Sequence, residues 1–237
     1  MSCPVLLMTR TAFQSQAFVD ELGQIMGRAP DALTAPVLRL EIVPMPEPHP
    51  DVTALIFTSA NGVRAYVAQH SAEGRVGYCV GSTTGQLAEE RGFVVHDAAG
   101  DGRDLLEMVA GNAVPGDRFL HISGERTAVD LVQELSAQGI AVDRCVAYRQ
   151  VPIALSGVAQ NLIETTSVVA PIFSPDSARI FGEGLVGISP KNLHLVAISE
   201  NAAAPLSDLG AKLSIVPSPT RAAMLTAVKE ILENHQS

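Results

Sequence analysis

The chain has 237 residues; 47% of them are hydrophobic, 17% are charged, and the formal net charge is −9. The apolar fraction is enough for one large core or two ordinary ones, and it excludes a disordered chain. The acidic balance and the lack of a Lys/Arg run argue against a nucleic-acid binder, but an anionic ligand stays compatible because helix N-termini bind anions through backbone N–H groups.

Short apolar runs alternate with amphipathic stretches along the whole chain. The runs typical of strands are Val5–Met8, Leu55–Thr58, Val76–Val80, Val94–His96, Arg118–Ile122, Val168–Phe173, Leu193–Ile198 and Leu213–Val216. The stretches with helical spacing are Phe13–Met26, Thr83–Arg91, Leu105–Ala110, Ala128–Gln138, Ser177–Phe181, Ala202–Leu209 and Ala222–Leu232. This alternation, in a chain without Trp whose apolar residues are mostly aliphatic, predicts an α/β fold with doubly wound parallel sheets.

Several segments have a similar partner far along the chain. The pairs are Ala54–Ser59 with Ala170–Pro175, Val80–Thr84 with Ile198–Ala202, Gly102–Val109 with Thr220–Val228, and Leu7–Arg10 with Leu120–Glu125. The sequence therefore predicts two copies of one α/β unit.

Two extended stretches, Ala35–Pro50 with its many prolines and Asp143–Pro152, are candidates for crossings between domains. They predict one domain from residues 1–36 with 152–237 and a second from residues 37–151, with linkers near 35–50 and 143–152. A chain that crosses twice forms a two-stranded hinge, so rigid-body motion is expected. A single division near residue 120 is less attractive because no linker composition occurs there.

Motifs for the common cofactors are missing. The chain has no P-loop, no His-Glu-x-x-His and no Gly-x-Ser-x-Gly, and Gly100-Asp101-Gly102 lacks the third glycine of a dinucleotide site. We therefore expect neither a cofactor nor a metal. The histidines, His49, His70, His96, His121, His194 and His235, are scattered, and we interpret all of them as structural.

Cysteine usage and hydropathy suggest an intracellular location. The chain has three cysteines at wide spacing, and Cys79 and Cys145 lie in apolar runs typical of buried hydrophobes. The N-terminal apolar run, Val5–Met8, is too short for a signal peptide or a membrane span. We expect a cytoplasmic protein with no membrane partner. Nothing in the sequence indicates oligomerisation, so we expect a monomer.

Small and hydroxyl-bearing residues recur at the ends of the predicted strands. The candidates for binding a substrate there are Thr9, Arg10, Thr58, Ser59, Ala60, Asn61, Gly81, Thr83, Thr84, Ser123, Gly124, Ser174, Pro175, Ser177 and Ser199. For any single one, helix capping is the better interpretation. Their recurrence in both copies favours a shared cleft, because ligands of open parallel sheets bind outside the carboxyl ends of strands.

Tyr148 stands out among the three tyrosines because it closes the second extended stretch. Its ring could simply pack with the hydroxyl in water, or it could reach into the cleft and donate a proton. Tyr66 and Tyr78 lie in a predicted helix and a predicted strand, and we interpret both as structural.

These residues, taken in order, resemble the uroporphyrinogen-III synthase family over the whole chain. The resemblance is carried by Leu7-x-Thr9-Arg10, Ile56–Val63, Val80-Gly81-x-x-Thr84, Gly116 to Leu120 leading to Gly124 and Arg126, Val146-x-Tyr148, Phe173-Ser174-Pro175-x-Ser177, and Pro217-x-Pro219-Thr220 running into Arg221–Leu225. Each motif is weak alone, and their order and spacing are the specific part.

The resemblance implies two flavodoxin-like domains joined by a two-stranded linker. It implies cyclisation of the linear tetrapyrrole polycarboxylate hydroxymethylbilane to uroporphyrinogen III, with inversion of the terminal ring, loss of water and no cofactor. It gives Tyr148 the role of helping the terminal hydroxyl leave, and it makes Arg10 the best side-chain candidate for a substrate carboxylate.

The second-copy turn departs from the family pattern, since Ser199-Glu200-Asn201-Ala202 stands where Gly and Thr are usual. Glu200 places a negative charge near an anionic substrate, so other functional classes of protein stay open. The alternatives are a cytosolic two-domain small-anion binding or sensor module without catalysis, and a degenerate member that serves as an interaction domain.

Overall fold

The computed structural model describes residues 3–127 and 129–234. Ala128, the first residue of a predicted helix, and His235, interpreted as structural, lie outside them. The strands are β1 Val5–Met8, β2 Ala32–Thr34, β3 Leu38–Ile42, β4 Ala54–Phe57, β5 Val76–Cys79, β6 Val94–Asp97, β7 Arg118–Gly124, β8 Ala141–Pro152, β9 Val168–Ile172, β10 Leu193–Ala197 and β11 Lys212–Ile215. The helices are α1 Ala12–Met26, α2 Ala60–Val67, α3 Ser82–Glu90, α4 Gly102–Asn112, α5 Leu131–Ala137, α6 Gly157–Thr165, α7 Pro175–Glu183, α8 Glu200–Ala203 and α9 Arg221–Asn234, with a 3-10 helix at Ala204–Leu206.

The chain divides into two compact units. Unit 1 consists of Met1–Arg39 and Val151–Ser237, and unit 2 consists of Leu40–Gln150. The sheet of unit 1 has the order β11-β10-β9-β1-β2, and the second sheet has the order β3-β8-β7-β4-β5-β6. The neighbouring strands β3 and β8 both run across the residues where one unit ends and the other begins. The predicted α/β fold with parallel, doubly wound sheets is confirmed.

The two units share one spatial strand order but begin at different strands. In chain order unit 1 follows the flavodoxin-like sequence 2-1-3-4-5. Matching β4 with β9, β5 with β10, β6 with β11, β7 with β1 and β8 with β2 superimposes the two orders. These matches agree with the similar segments found in the sequence. Unit 1 is therefore a circular permutation of the arrangement in unit 2.

Alternate residues of the central strands pack on opposite faces of each sheet. In unit 1, Leu7 packs on the face that carries α6 and α7, whereas Leu6 and Met8 pack on the face with Phe18 and Met224. All five residues of β9 are buried, as expected for a central parallel strand. The cores are mainly aliphatic, with aromatic contacts around Tyr66 and Tyr78 in unit 2 and between Phe18 and Phe173 in unit 1.

Several elements differ from the sequence predictions. The stretch from Asp143 to Pro152, predicted as an extended crossing, is the second part of the long strand β8. Strands β2 and β3 and helix α6 were not predicted. The helix predicted at Ala202–Leu209 ends at Ala203 and tightens into the 3-10 helix, because Pro205 has no N–H for an α-helical bond.

Cysteine burial and helix hydropathy also bear on the sequence predictions. The thiol of Cys79 is buried, and burial raises its pKa to about 12. Cys145 is half-buried, and burial also raises its pKa. No helix in the described ranges is long and apolar enough to cross a bilayer.

Candidate functional site

The strand order of each unit reverses at one point, and ligands of open α/β sheets bind there, at the carboxyl ends of the strands. In unit 1 the reversal lies between β1 and β9, and in unit 2 it lies between β4 and β7. Arg10 follows β1 and Ser174 follows β9, while Thr58 follows β4 and Gly124 ends β7. Within each unit, two of the predicted residues therefore lie beside the reversal, at the carboxyl edge of the sheet.

Arg10 is an uncompensated cation at the reversal point of unit 1. Its guanidinium carbon lies 4.4 Å from the ring centroid of Phe173. Within residues 3–127 and 129–234 its side chain has neither a hydrogen bond nor a carboxylate partner. Burial and, second, repulsion from Arg221 lower its pKa from the usual value. The charge of Arg10 is thus available to an anion from solution.

A second arginine lies against a phenylalanine ring that contacts Phe173. Arg221, the first residue of α9, lies 5.6 Å from the ring centroid of Phe18 and donates from Nε to Oε2 of Glu21 at 2.6 Å. The rings of Phe18 and Phe173 meet edge to face at 5.4 Å. Glu21 therefore balances the guanidinium of Arg221 and leaves that of Arg10 without a carboxylate partner in the described ranges.

The serines of unit 1 act as helix caps. Ser174 Oγ accepts from the N–H of Ser177 at 3.2 Å and donates to Ser177 Oγ at 2.9 Å, and Pro175 occupies the first turn of α7. Ser199 Oγ accepts from the N–H of Ala202 at 3.3 Å. Glu200 is exposed in the first turn of α8. Three of these hydroxyls are therefore already engaged, in agreement with the capping interpretation.

The corresponding turn of unit 2 is built on a buried polar pair. Thr58 Oγ1 lies 3.2 Å from Nε2 of His121, whose side chain is 1% exposed. Burial, with the nearby Arg144 charge second, lowers the pKa of His121 to about 4. His121 is therefore neutral at pH 7, and its hydrogen bond fixes the side chain of Thr58. This agrees with the structural interpretation of His121.

The helix that follows this turn packs closely on the sheet. Ser59 Oγ accepts from the N–H of Asn61 at 3.1 Å, and Asn61 Oδ1 accepts from Arg64 at 3.2 Å. Ala60 is the first residue of the helix. A Cβ on Gly62 would lie 2.7 Å from the carbonyl oxygen of Ile122, so only glycine permits this approach of α2 to β7.

Helix α3 begins without a side-chain cap. Its N-cap residue is Gly81, which has extended backbone and no side chain to accept from the first-turn N–H groups. Thr83 is exposed, whereas Thr84 is buried and its N–H bonds the carbonyl of Gly81 at 2.9 Å. The matching helix α8 has the Ser199 cap, so the two copies differ as the sequence indicated.

Tyr148 lies across the end of β7. The register pairs it with Gly124, and a Cβ on Gly124 would lie 2.7 Å from Cε2 of the ring and 3.1 Å from its hydroxyl oxygen. The residue is half-buried, and its hydroxyl has no hydrogen-bond partner in the described parts of the chain. A phenol in this position can donate to a ligand at the carboxyl edge of unit 2.

Ser123 has a different role from the one predicted. It is fully buried, its hydroxyl donates to the carbonyl of Gly124 at 3.0 Å, and it accepts from Nε of Arg144 at 2.8 Å. In this geometry its side chain has no surface for a substrate and serves to hold the turn. Gly124, by contrast, contributes the backbone on which Tyr148 lies.

Sequence reasoning missed Arg144 and Arg221. Neither belongs to a strand-end turn with small residues; Arg144 lies within β8, and Arg221 opens the last helix. The signal available for Arg221 was its position directly after the Pro217 to Thr220 motif. Among the described residues, no group of three or more His, Cys, Asp or Glu side chains could hold a metal ion.

Comparisons with known proteins show the family and the fold. The family described as Uroporphyrinogen-III synthase HemD matches residues 27–226. The uroporphyrinogen-III synthetase of Helicobacter pylori 26695 matches in structure with a TM-score of 0.65 and 16% identity, covering 96% of this chain and 99% of that chain. A mutant uroporphyrinogen III synthase of Thermus thermophilus has a TM-score of 0.48 and 17% identity, over 98% of this chain and 99% of that chain. At such identity the first match shows the fold alone. No curated protein matches in sequence.

Proposed function

The chain belongs to the uroporphyrinogen-III synthase family, and we propose that it acts as a lyase that closes hydroxymethylbilane to uroporphyrinogen III. The observation that carries the catalytic part of this proposal is the phenol of Tyr148. It lies at the carboxyl edge of unit 2, half-buried against Gly124, with its hydroxyl available to a ligand.

In the proposed first step, Tyr148 protonates the terminal hydroxyl of the substrate. The carbon–oxygen bond breaks, water leaves, and the pyrrole nitrogen supplies the electron pair that makes an electrophilic azafulvene. The terminal ring then attacks to give a spiro intermediate, which re-opens and closes as the inverted isomer. The product loses one proton, which the phenolate can take back, so the residue is restored.

A phenol is a weak acid, so proton donation supplies only part of the rate. Because the linear substrate closes spontaneously to the other isomer, the protein must also hold the folded chain and exclude water from the azafulvene. Most of the rate is therefore expected from this positioning, and a smaller part from proton transfer.

The protein can bind the substrate mainly through the carboxylates that the substrate carries. We propose that Arg10 binds one of them, since its guanidinium packs on Phe173 and has no carboxylate partner among the described residues. The uncapped first turn of α3, with Gly81 and Thr83, offers backbone N–H groups to another. The remaining predicted turns contribute through their backbones, because the hydroxyls of Ser59, Ser174 and Ser199 cap helices. Those of Thr58 and Ser123 are bonded within unit 2, and Thr9 is buried.

The test is a direct product analysis. Hydroxymethylbilane is supplied to the purified protein, the products are oxidised, and the type I and type III isomers are separated. We expect type III to dominate, against type I in a protein-free control. Type I product alone from a folded sample would contradict the proposal. If such a sample still bound the tetrapyrrole, the anion-binding module without catalysis would be favoured. The monomeric state and the cytoplasmic location stay predictions of the sequence.

A further inference from the structure

Arg144 makes a three-point contact at the end of β7. Its Nε donates to Ser123 Oγ at 2.8 Å, and its Nη2 donates to the carbonyl oxygens of Gly124 at 2.7 Å and Glu125 at 2.8 Å. The planar guanidinium holds its donors in a fixed fork, so these contacts fix the direction of the turn as well as its position.

The backbone that Arg144 holds is the backbone on which Tyr148 lies. The register of β7 and β8 shifts between Ser123 and Gly124, and after this shift Gly124 pairs with Tyr148. The N–H of Glu125 donates to the carbonyl of Tyr148 at 3.0 Å. Strand irregularities of this kind leave ladder groups unpaired and re-aim side chains. Arg144 supplies donors to the carbonyls of this irregular segment.

We infer that Arg144 is a positioning residue, which holds the Gly124–Glu125 backbone so that the phenol of Tyr148 keeps one orientation. This inference rests on the proposed function, because it matters for turnover only if Tyr148 takes part in the reaction. Loss of the guanidinium would let the turn and the ring move. A displacement of about 1 Å at a reacting group can lower a rate by about 10²-fold.

A purely structural role for Arg144 predicts different behaviour. If it only joined β7 to β8, its removal would lower stability and leave the remaining folded enzyme unchanged. A matched control for that role is Arg118, which bonds Asp143 at 2.7 Å across the same two strands, toward the start of β7. Both arginines are exposed enough for substitution without burying an unpaired charge.

The kinetic test is a double-mutant cycle of Arg144→Met and Tyr148→Phe, with Arg118→Met as control. We expect Arg144→Met to lower kcat roughly tenfold to a hundredfold, with KM changed by less than about twofold. In the Tyr148→Phe background the same substitution should change kcat by less than about twofold, because there is no longer a phenol to position. Arg144→Lys should fall between, since a single ammonium cannot reproduce the fork.

An orientation test does not depend on turnover. The chain has only three tyrosines, so ring-labelled tyrosine gives a spectrum in which Tyr148→Phe identifies the Tyr148 signal. In Arg144→Met this signal should shift or broaden while those of Tyr66 and Tyr78 stay in place, and Arg118→Met should leave all three unchanged.

The outcomes separate the two hypotheses. Equal losses of kcat from Arg144→Met in both backgrounds, or an unmoved Tyr148 signal, would overturn the positioning role while the proposed function stands. A Tyr148→Phe enzyme with the wild-type kcat would remove Tyr148 from the mechanism, and with it the catalytic meaning of Arg144. Type I product alone from the wild-type protein would overturn the proposed function itself.

Discussion

The ring of Tyr148 rests on Gly124 with no room for a side chain between them, since a Cβ there would approach the ring carbon Cε2 to 2.7 Å. The pair lies at the end of β7, directly after the register shift between β7 and β8. Only glycine at position 124 leaves room for the ring of Tyr148. The effects of substitutions at the two positions on stability should therefore not be additive.

This relationship predicts that Gly124→Ala is tolerated only when the ring is absent. In the wild-type background the added methyl group must displace the ring, and we expect a loss of about 1–3 kcal/mol in the free energy of unfolding together with lower kcat. In the Tyr148→Ala background the same substitution should cost much less. Denaturant unfolding of the four proteins measures this, and equal costs in both backgrounds would contradict the contact.

Removal of the phenolic hydroxyl should slow the enzyme strongly without abolishing it. We expect Tyr148→Phe to lower kcat about 10²-fold, the lower end of what general-acid catalysis contributes, while type III remains the product. Tyr78→Phe is the matched control, because Tyr78 lies in β5 and stacks on His96. An unchanged steady-state rate on hydroxymethylbilane would show that Tyr148 is no proton donor.

The charge of Arg10 should act on substrate binding. Arg10→Met keeps most of the stem on Phe173 but removes the charge, and the loss of one charge-assisted bond of about 1.5–3 kcal/mol corresponds to a rise in KM of at least about tenfold. The rise should shrink as salt is added. Arg179→Met, which removes a surface pair with Glu183, is the control. A KM that does not change would remove Arg10 from the binding site.

The buried His121 should make stability depend on pH. Its pKa is about 4 in the folded protein against about 6.5 in the unfolded chain. The unfolded chain therefore binds more protons between these values. The stabilisation is complete above pH 6.5 and is lost as the pH falls toward 4, by at most about 3 kcal/mol.

Denaturant unfolding at pH 7, 6 and 5 checks this expectation. His121→Gln keeps a hydrogen-bonding group near Thr58 but does not titrate, so its stability should fall less between pH 7 and pH 5. His49→Gln, at an exposed site, should follow the wild type. Parallel pH curves for the wild type and His121→Gln would refute the depressed pKa.

The buried parts of the fold could be predicted because burial on both faces requires continuous apolar sequence. The central strands β4, β9 and β10 are such apolar runs, and their positions were confirmed within a residue or two. Strand β8 was missed because exposed charged residues interrupt its apolar ones and because it ends in proline. Helix α6 was missed because it opens with Gly157, a poor helix former.

The candidate site, too, could be predicted only in part. Turns with repeated small residues could be found because both copies carry them. The contact of Thr58 with His121 joins residues 63 positions apart, and the contact of Arg144 with Gly124 joins residues 20 positions apart. Contacts of this kind follow from strand order and register, which no local pattern encodes.

The permuted start of unit 1 has a consequence for how the protein is made. Strand β1 pairs only with β2 and with β9, which begins at Val168. At a synthesis rate of about 5–20 residues per second, the interval between the synthesis of β1 and that of β9 is on the order of 10 s. Unit 2, which ends at Gln150, is synthesised before β9 begins. The last elements to emerge, β11 and α9, complete the sheet and the core of unit 1. A nascent chain that stops before them therefore leaves apolar residues of β1 exposed.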